Sequence, residues 1–230
     1  MSELISCFLP CRKGSERVPR KNIKPFANFA NGLIQVKLKQ LLACRLVDNI
    51  FVSSDDDEIL AYAAGLNEAR IVLHERDGFL ASSQTSTDAL VGHAHSLISE
   101  GHILWTHVTS PFISENIYEE IIRCYQKNLD ENYDSLMTTT ELHGFLWQGG
   151  KPLNYDRMLE KWPRTQTLEP VHEVNSGVFL ASAEIYRSDN DRIGSRPYLY
   201  KLNKLISSDI DWPEDFALAE CMVEKGLVRI

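Results

Sequence analysis

No run of apolar residues in this chain approaches the ~18 that a membrane-spanning helix requires. The opening residues Met1-Ser2-Glu3 carry no basic stretch ahead of an apolar one, so the pattern of a secretory leader is missing. Cysteine is sparse and poorly placed for disulfides or metal. Cys7, Cys11, Cys44, Cys124 and Cys221 are odd in number, scattered, and form no C-x-x-C pair. Free thiols in a reducing cytoplasm are the expectation. Positive charge is in deficit: 24 Lys and Arg stand against 32 Asp and Glu, a formal charge of −8. That balance argues against the broad basic face that nonspecific nucleic-acid binding needs. Internal repeats and low-complexity segments are also lacking.

What is present fits one globular domain. The 230 residues are 43% apolar, enough for a full core. Leu4 to Leu9 reads as a first strand, and Leu33, Ile34, Leu38, Leu41, Leu42 and Leu46 recur at helical spacing. Ile50 to Ser54 reads as a buried strand, after which Asp55 or Asp56 caps a helix. Ile71 to Leu73 is a third strand, Thr87 to Ser99 a helix, and Ile103 to Val108 a fourth strand. A further helix starts at Ser114-Glu115. Strands alternating with helices imply βαβ units and a mainly parallel sheet. After residue 134 the rhythm changes. Ser135 to Thr140, Phe145 to Trp147, Val178 to Ala181 and Tyr198 to Leu202 read as strands, and Pro213 opens a last helix ending at Lys225. The prediction is an α/β fold: a Rossmann-like three-layer αβα sandwich with a mainly parallel mixed sheet and a small projecting β arm. Residues 1–230 form a single domain, with 135–173 as the arm or lid.

Against the acidic background, the stretch from Arg12 to Lys24 holds six basic residues and one acidic residue, Glu16. Gly14 lets the backbone turn, while Pro19 and Pro25 keep it from becoming a helix. A loop of N–H groups ringed by Arg and Lys at a strand end suits a polyanion such as a triphosphate. As a bare charge cluster it also reads as a solvated surface loop. A second feature is Ser207-Ser208-Asp209-Ile210-Asp211-Trp212-Pro213. In an extended segment, Asp209 and Asp211 point the same way with Ile210 behind them. Two carboxylates so placed suit Mg²⁺ with phosphate oxygens, or else only the N-terminus of the helix that follows. His107 reads as a pocket residue or as a satisfied, partly buried histidine. Asn175-Ser176-Gly177 reads as a ligand contact or as a turn before a strand, and Asp55 as a helix cap.

Pro10, Arg12, Gly14, Ser15, Pro19, Lys21 and Asn22 match P-A-R-x-G-S-K-x-x-P-x-K-N, with Cys11 and Glu16 as departures. Ser207, Asp209, Ile210, Asp211 and Asp215 match S-x-D-I-D-x-x-x-D. In these two segments the chain resembles the CMP-sugar synthetases, or acylneuraminate cytidylyltransferases, and the likeness runs from about Leu4 to Ala219. Weaker matches are Ser53-Ser54-Asp55 and the loop Arg76 to Thr87, where Gln84 stands for an expected Asp. Others are Thr109-Ser110-Pro111 with His107 for a Gln, Arg164 and Gln166, and the run from Asn175 to Phe179.

The resemblance implies transfer of CMP from CTP to the anomeric hydroxyl of a sialic-acid-like 2-keto sugar acid, with release of pyrophosphate. Arg12, Lys21 and Asp211 would be catalytic. Gly14, Ser15, Arg17, Asn22, Arg76 and Ser82 would join Arg12 and Lys21 in binding the nucleotide. His107, Thr109, Ser110, Arg164, Gln166 and Asn175 would face the sugar, and Asp209 and Asp211 would hold Mg²⁺. A homodimer is implied, with the arm completing the partner's sugar pocket. Two alternatives stay open: the same chemistry on an eight-carbon 3-deoxy-octulosonic acid, and a decayed nucleotide-binding protein.

Overall fold

A computed structural model describes residues 4–82 and 85–230; Gln84 and the Met1-Ser2-Glu3 opening lie outside the described residues. The central strand β1 (Ile5–Cys11) is almost wholly buried, as a strand with helices on both faces must be. Its alternation sends Cys7 and Leu9 to one core and Phe8 to the other. It pairs in parallel with β2 (Asn49–Ser54) and with β4 (His102–Thr106), and β2 pairs with β3 (Ile71–Glu75). Across β4 lies β8 (Val171–Ser182), antiparallel, then β5 (Ser135–Leu142) and β9 (Pro197–Leu202). The order is β3-β2-β1-β4-β8-β5-β9, and within this sheet β8 alone is reversed.

Helices α1 (Gly32–Ala43), α5 (Glu115–Leu129) and α7 (Pro213–Glu224) cover one face through Leu33, Leu38, Leu41, Ile121 and Phe216. Helices α4 (Thr87–Leu97) and α6 (Ala183–Ser188) cover the other, where Val91, Ala94 and Tyr186 pack on Phe8, Trp105 and Phe179. The predicted three layers are present. Helix α2 (Asp57–Gly65) is capped by Asp56, whose carboxylate accepts from Glu58 N; Asp55 is not the cap. A one-turn helix α3 (Gly78–Ala81) precedes α4. None of the described helices is long and apolar enough to cross a membrane.

Two readings need correction. Ser135–Leu142 and the start of β8 at Val171 belong to the main sheet, so of the segment 135–173 read as an arm only 143–170 lies outside that sheet. Within 143–170, β6 (Trp147–Gln148) and β7 (Lys151–Pro152) form a separate hairpin, joined by Gly149 and Gly150 at φ +57° and +79°. Asn175-Ser176-Gly177 is not a turn before a strand. It lies inside β8, where the register against β5 jumps from Met137↔Phe179 to Thr139↔Val174. The extra residues form a bulge that Asn175 plugs: its Oδ1 accepts from Thr138 Oγ1 at 2.5 Å and Gly177 N at 3.2 Å.

Candidate active site

The strand order reverses between β1 and β4, and there the carboxyl ends of the strands open a cleft of about 460 Å³. Arg12, Ser15, Glu16, Arg17, Lys21 and Asn22 line it from the loop after β1. His107, Val108 and Thr109 line it from the turn after β4, Arg76 from the segment after β3, and Asp211 from the far end of the chain.

Local contacts explain why the basic loop has one shape. Lys13 N donates to Asp55 Oδ1 at 2.8 Å, so Asp55 pins the loop instead of capping a helix. Asn22 Nδ2 donates to Arg12 O at 3.0 Å, closing the loop on itself. Val18 and Phe26 are buried anchors. At the loop's end Gly32 has φ +64°, and a Cβ there would lie 2.1 Å from Lys24 O, so only glycine fits. Gly14 behaves differently from the expectation. Its φ is not positive and a Cβ would meet nothing within 4 Å. It faces open space, no turn requires a glycine there, and it lines neither this cleft nor the second cavity described below.

The cations converge on Asp211. Arg17 Nη2 is 2.9 Å from Asp211 Oδ1, and Lys21 Nζ is 3.3 Å from the same oxygen. Lys21, almost buried, also donates to Ile210 O at 2.6 Å. The guanidinium of Arg17 lies 5.0 Å from the Trp212 ring centre. Glu16 pairs with neither neighbour: Arg17 reaches Asp211 and Arg20 reaches Glu58. The aspartate segment itself is not a strand. It is held by Ile210 N donating to Thr109 O and by Asp215 Oδ2 accepting from the N–H groups of Asp211 and Trp212. Ile210 is buried behind the pair, as read from the alternation.

Asp211 lines a second cavity of about 510 Å³ as well, together with Asp209, Asn175, Ser207 and Lys204. Burial pushes the Asp209 carboxyl up, with the hydrogen bond to Thr109 opposing it, and its Oδ1 is buried without a hydrogen-bond partner. Asn175 has little left for a ligand, since its Nδ2 donates to Thr140 Oγ1 at 3.1 Å.

His107 is neutral near pH 7. Burial and the cations Arg192, Lys37 and Lys21 push it down to about 3. Its Nε2 accepts the Trp105 indole N–H at 2.9 Å, which leaves the ring proton on Nδ1. Both readings of His107 therefore hold: it is satisfied and it lines the cleft. Arg76 is buried with its guanidinium on Ser53, to Oγ at 3.2 Å and to the carbonyl, so it forms the cleft's back wall. Among the described residues, Ser82, Ser110, Arg164 and Gln166 do not line the two cavities. Ser110 is buried, and Arg164 and Gln166 are exposed around the short 3₁₀ turn Thr165–Thr167.

Sequence reasoning missed Lys37. It is fully buried in α1, donating to Ser110 O at 2.8 Å and to Tyr118 Oη at 2.7 Å, and burial lowers its pKa to about 7. Gln40, one turn on, donates to Pro111 O at 2.7 Å. The two side chains fix the turn carrying Thr109. A Lys and a Gln on an otherwise apolar helix face were the available signal.

A reversing parallel sheet with a cation-lined cleft at its switch point defines a nucleotide-binding α/β protein. A family model described as cytidylyltransferase matches residues 6–148, and the chain belongs to that family, the nucleotidyltransferases its own motifs resembled. It is 24% identical over 227 residues to a pseudaminic acid cytidylyltransferase of Campylobacter jejuni, covering 94% of each chain. It is 26% identical over 215 residues to an N-acylneuraminate cytidylyltransferase of Streptococcus agalactiae, covering 91% of this chain and 51% of that one. Its fold is similar to a CMP:2-keto-3-deoxy-manno-octonic acid synthetase solved with CTP. The TM-score there is 0.67 at 12% identity, over 97% and 99% of the two chains.

Proposed function

We propose that the chain transfers CMP from CTP to the anomeric hydroxyl of a nonulosonic acid, releasing pyrophosphate. One observation carries this reading: Asp211 lines two adjoining cavities, one ringed by cations and one not. The first suits a triphosphate, the second a sugar acid, and the shared carboxylate lies where the α-phosphate would meet the attacking oxygen. The bond formed joins the anomeric oxygen to the α-phosphorus, the bond broken is that from the α-phosphorus to the α–β bridging oxygen, which leaves in pyrophosphate, and the hydroxyl proton passes to water. Arg12, Lys21 and Arg17 neutralise charge building on the phosphates, which is the main catalytic work in such transfers. His107, neutral with Nδ1–H as a donor, keeps another positive charge off the turn that carries Thr109.

Asp209 and Asp211 fit Mg²⁺. Both carboxylates line the second cavity, and Asp209 Oδ1 is a buried acceptor without a hydrogen-bond partner. Among the described residues no cluster of three or more His, Cys, Asp or Glu could hold a metal alone, so phosphate oxygens and water would complete the shell. When bound, Mg²⁺ would supply Lewis-acid stabilisation of the phosphate. We place the protein in the cytoplasm as a homodimer. Trp147, Met158, Leu159 and Trp162 stand exposed on the 143–170 segment, where a second copy would cover them.

The test is pyrophosphate release with CTP, Mg²⁺ and a panel of neuraminic, legionaminic, pseudaminic and 3-deoxy-octulosonic acids, repeated with the other three nucleotides. Release with CTP and a nonulosonic acid, abolished by EDTA and restored by Mg²⁺, is the expected result. CTP binding without release for any acid would point to a nonenzymatic nucleotide-binding protein. A separate expectation concerns the loop: Arg17→Ala should weaken CTP binding about tenfold and Glu16→Ala by less than twofold, measured by calorimetry. Equal small effects would remove Arg17 from the site.

A further inference from the structure

The second cavity is lined by one cation, Lys204, and three carboxylates, Asp209 and Asp211 of the late segment and Glu173. Lys204 enters it from the turn after β9 and Glu173 from β8, and neither has an ion-pair partner among the described residues. Both are on fixed backbone. Asn203 Oδ1 accepts from Leu205 N and Ile206 N, each at 3.0 Å, and Ser208 Oγ donates to Lys204 O at 3.1 Å, so the lysine's turn is tied at both ends. Glu173 sits opposite Thr140 in the β5–β8 ladder, on the outer side of the bulge that Asn175 plugs. Leu142 and Val174 add apolar wall to the same cavity, and Val174 is half exposed.

A ligand matching this wall has an anionic group, a polar N–H or O–H donor and a small apolar group. An N-acylated sugar acid has all three in its carboxylate, amide N–H and acyl methyl. A plain polyol acid offers donors to Glu173 but nothing to Leu142 and Val174. Resting on the transfer reaction proposed above, we infer that Lys204 pairs with the acceptor's carboxylate and that Glu173, flanked by Leu142 and Val174, accepts from its amide N–H. Arg164, which the family resemblance put forward for the carboxylate, does not line this cavity of its own chain. Lys204 is then a binding residue for either acid and Glu173 with its apolar flank the specificity determinant, since an eight-carbon 3-deoxy-octulosonic acid offers Glu173 only hydroxyls and has no acyl methyl for Leu142 and Val174.

Steady-state kinetics of the full chain tests this, using N-acetylneuraminic and 3-deoxy-octulosonic acids as probes. Lys204→Met should raise the acceptor KM roughly tenfold or more for both acids, with the CTP KM within twofold. Lys204→Arg should recover most of the loss. Glu173→Ala should raise KM several-fold more for the N-acylated acid than for the octulosonic acid. An unchanged acceptor KM in Lys204→Met overturns the assignment. Calorimetric titration of each acid into protein saturated with CDP separates the two claims. Acid binding that Lys204→Met abolishes, without turnover of either acid, sustains the site and defeats the transfer reaction. Turnover with binding indifferent to Lys204 does the reverse.

Discussion

Replacing Asp211 by Asn is expected to lower the turnover number for CTP-dependent pyrophosphate release by about 10²–10³ while leaving the fold intact. The substitution keeps the shape and removes one negative charge at the junction of the two cavities. Its cost should fall on chemistry because the segment is anchored by other groups. Ile210 is buried, its N–H bonds Thr109 O, and Asp215 still accepts from residues 211 and 212. Lys21 keeps its bond to Ile210 O, and Arg17 keeps its contact with Trp212. The Asp211 side chain is 44% exposed, so loss of its ion pairs should change stability by less than about 1 kcal/mol. Unchanged melting temperature with collapsed turnover is the signature. Turnover within fivefold of wild type would remove Asp211 from the reacting centre, and with it the idea that the late aspartates and the early basic loop serve one phosphate chain.

Much of this site was legible from local spacing once a family pattern was in view, and little of it before. The basic loop and the aspartate pair each permitted a bland reading. Their meeting, Arg17 with Asp211 across 194 residues, comes from topology that local pattern does not encode. The first four strands and their helices were readable because buried parallel strands are short apolar runs. Boundaries failed where a polar or special residue served tertiary structure. β1 extends through Pro10 to Cys11, since Pro10 lies near the strand end that opens into the cleft. β8 begins at Val171 because its Asn-Ser-Gly run is a bulge filled by Asn175, whereas the same letters usually mean a turn. Asp55 and Asp56 could not be ranked from sequence, as either can cap a helix; the structure gives the cap to Asp56 and the loop to Asp55. Lys37 drew no reading, because the acceptors that let its amine be buried, Ser110 O and Tyr118 Oη, come from distant parts of the chain.

Lys37→Met is expected to reverse in its effect on stability as pH rises. The wild-type amine is buried without a carboxylate in contact, and its pKa falls from 10.5 to about 7. Above pH 7 the folded lysine is neutral while the unfolded one still takes up a proton, so this group adds stability with rising pH up to about 10.5. The slope is about 1.4 kcal/mol per pH unit across that window. Below pH 7 the folded state bears a buried charge, and the methionine variant, of similar length, avoids it. The variant in turn strands Ser110 O and a lone pair of Tyr118 Oη, a cost of about 1–3 kcal/mol at every pH. A neutral amine has two N–H groups, matching those two acceptors. From pH 6 to pH 9 the stability difference should therefore move by about 2.7 kcal/mol in favour of wild type, the variant equalling or exceeding wild type at pH 6 and losing that standing by pH 9. His93 and His107, held near 4 and 3, titrate below this window, and Cys7, raised by burial, titrates in both proteins. The wild-type-minus-variant difference from urea unfolding at pH 6 to 9 thus isolates the lysine. A flat difference would mean that Lys37 stays charged in the core. Because Ser110 adjoins Thr109 on the cleft wall, the variant should also lose about tenfold in turnover at pH 6, where its stability is intact.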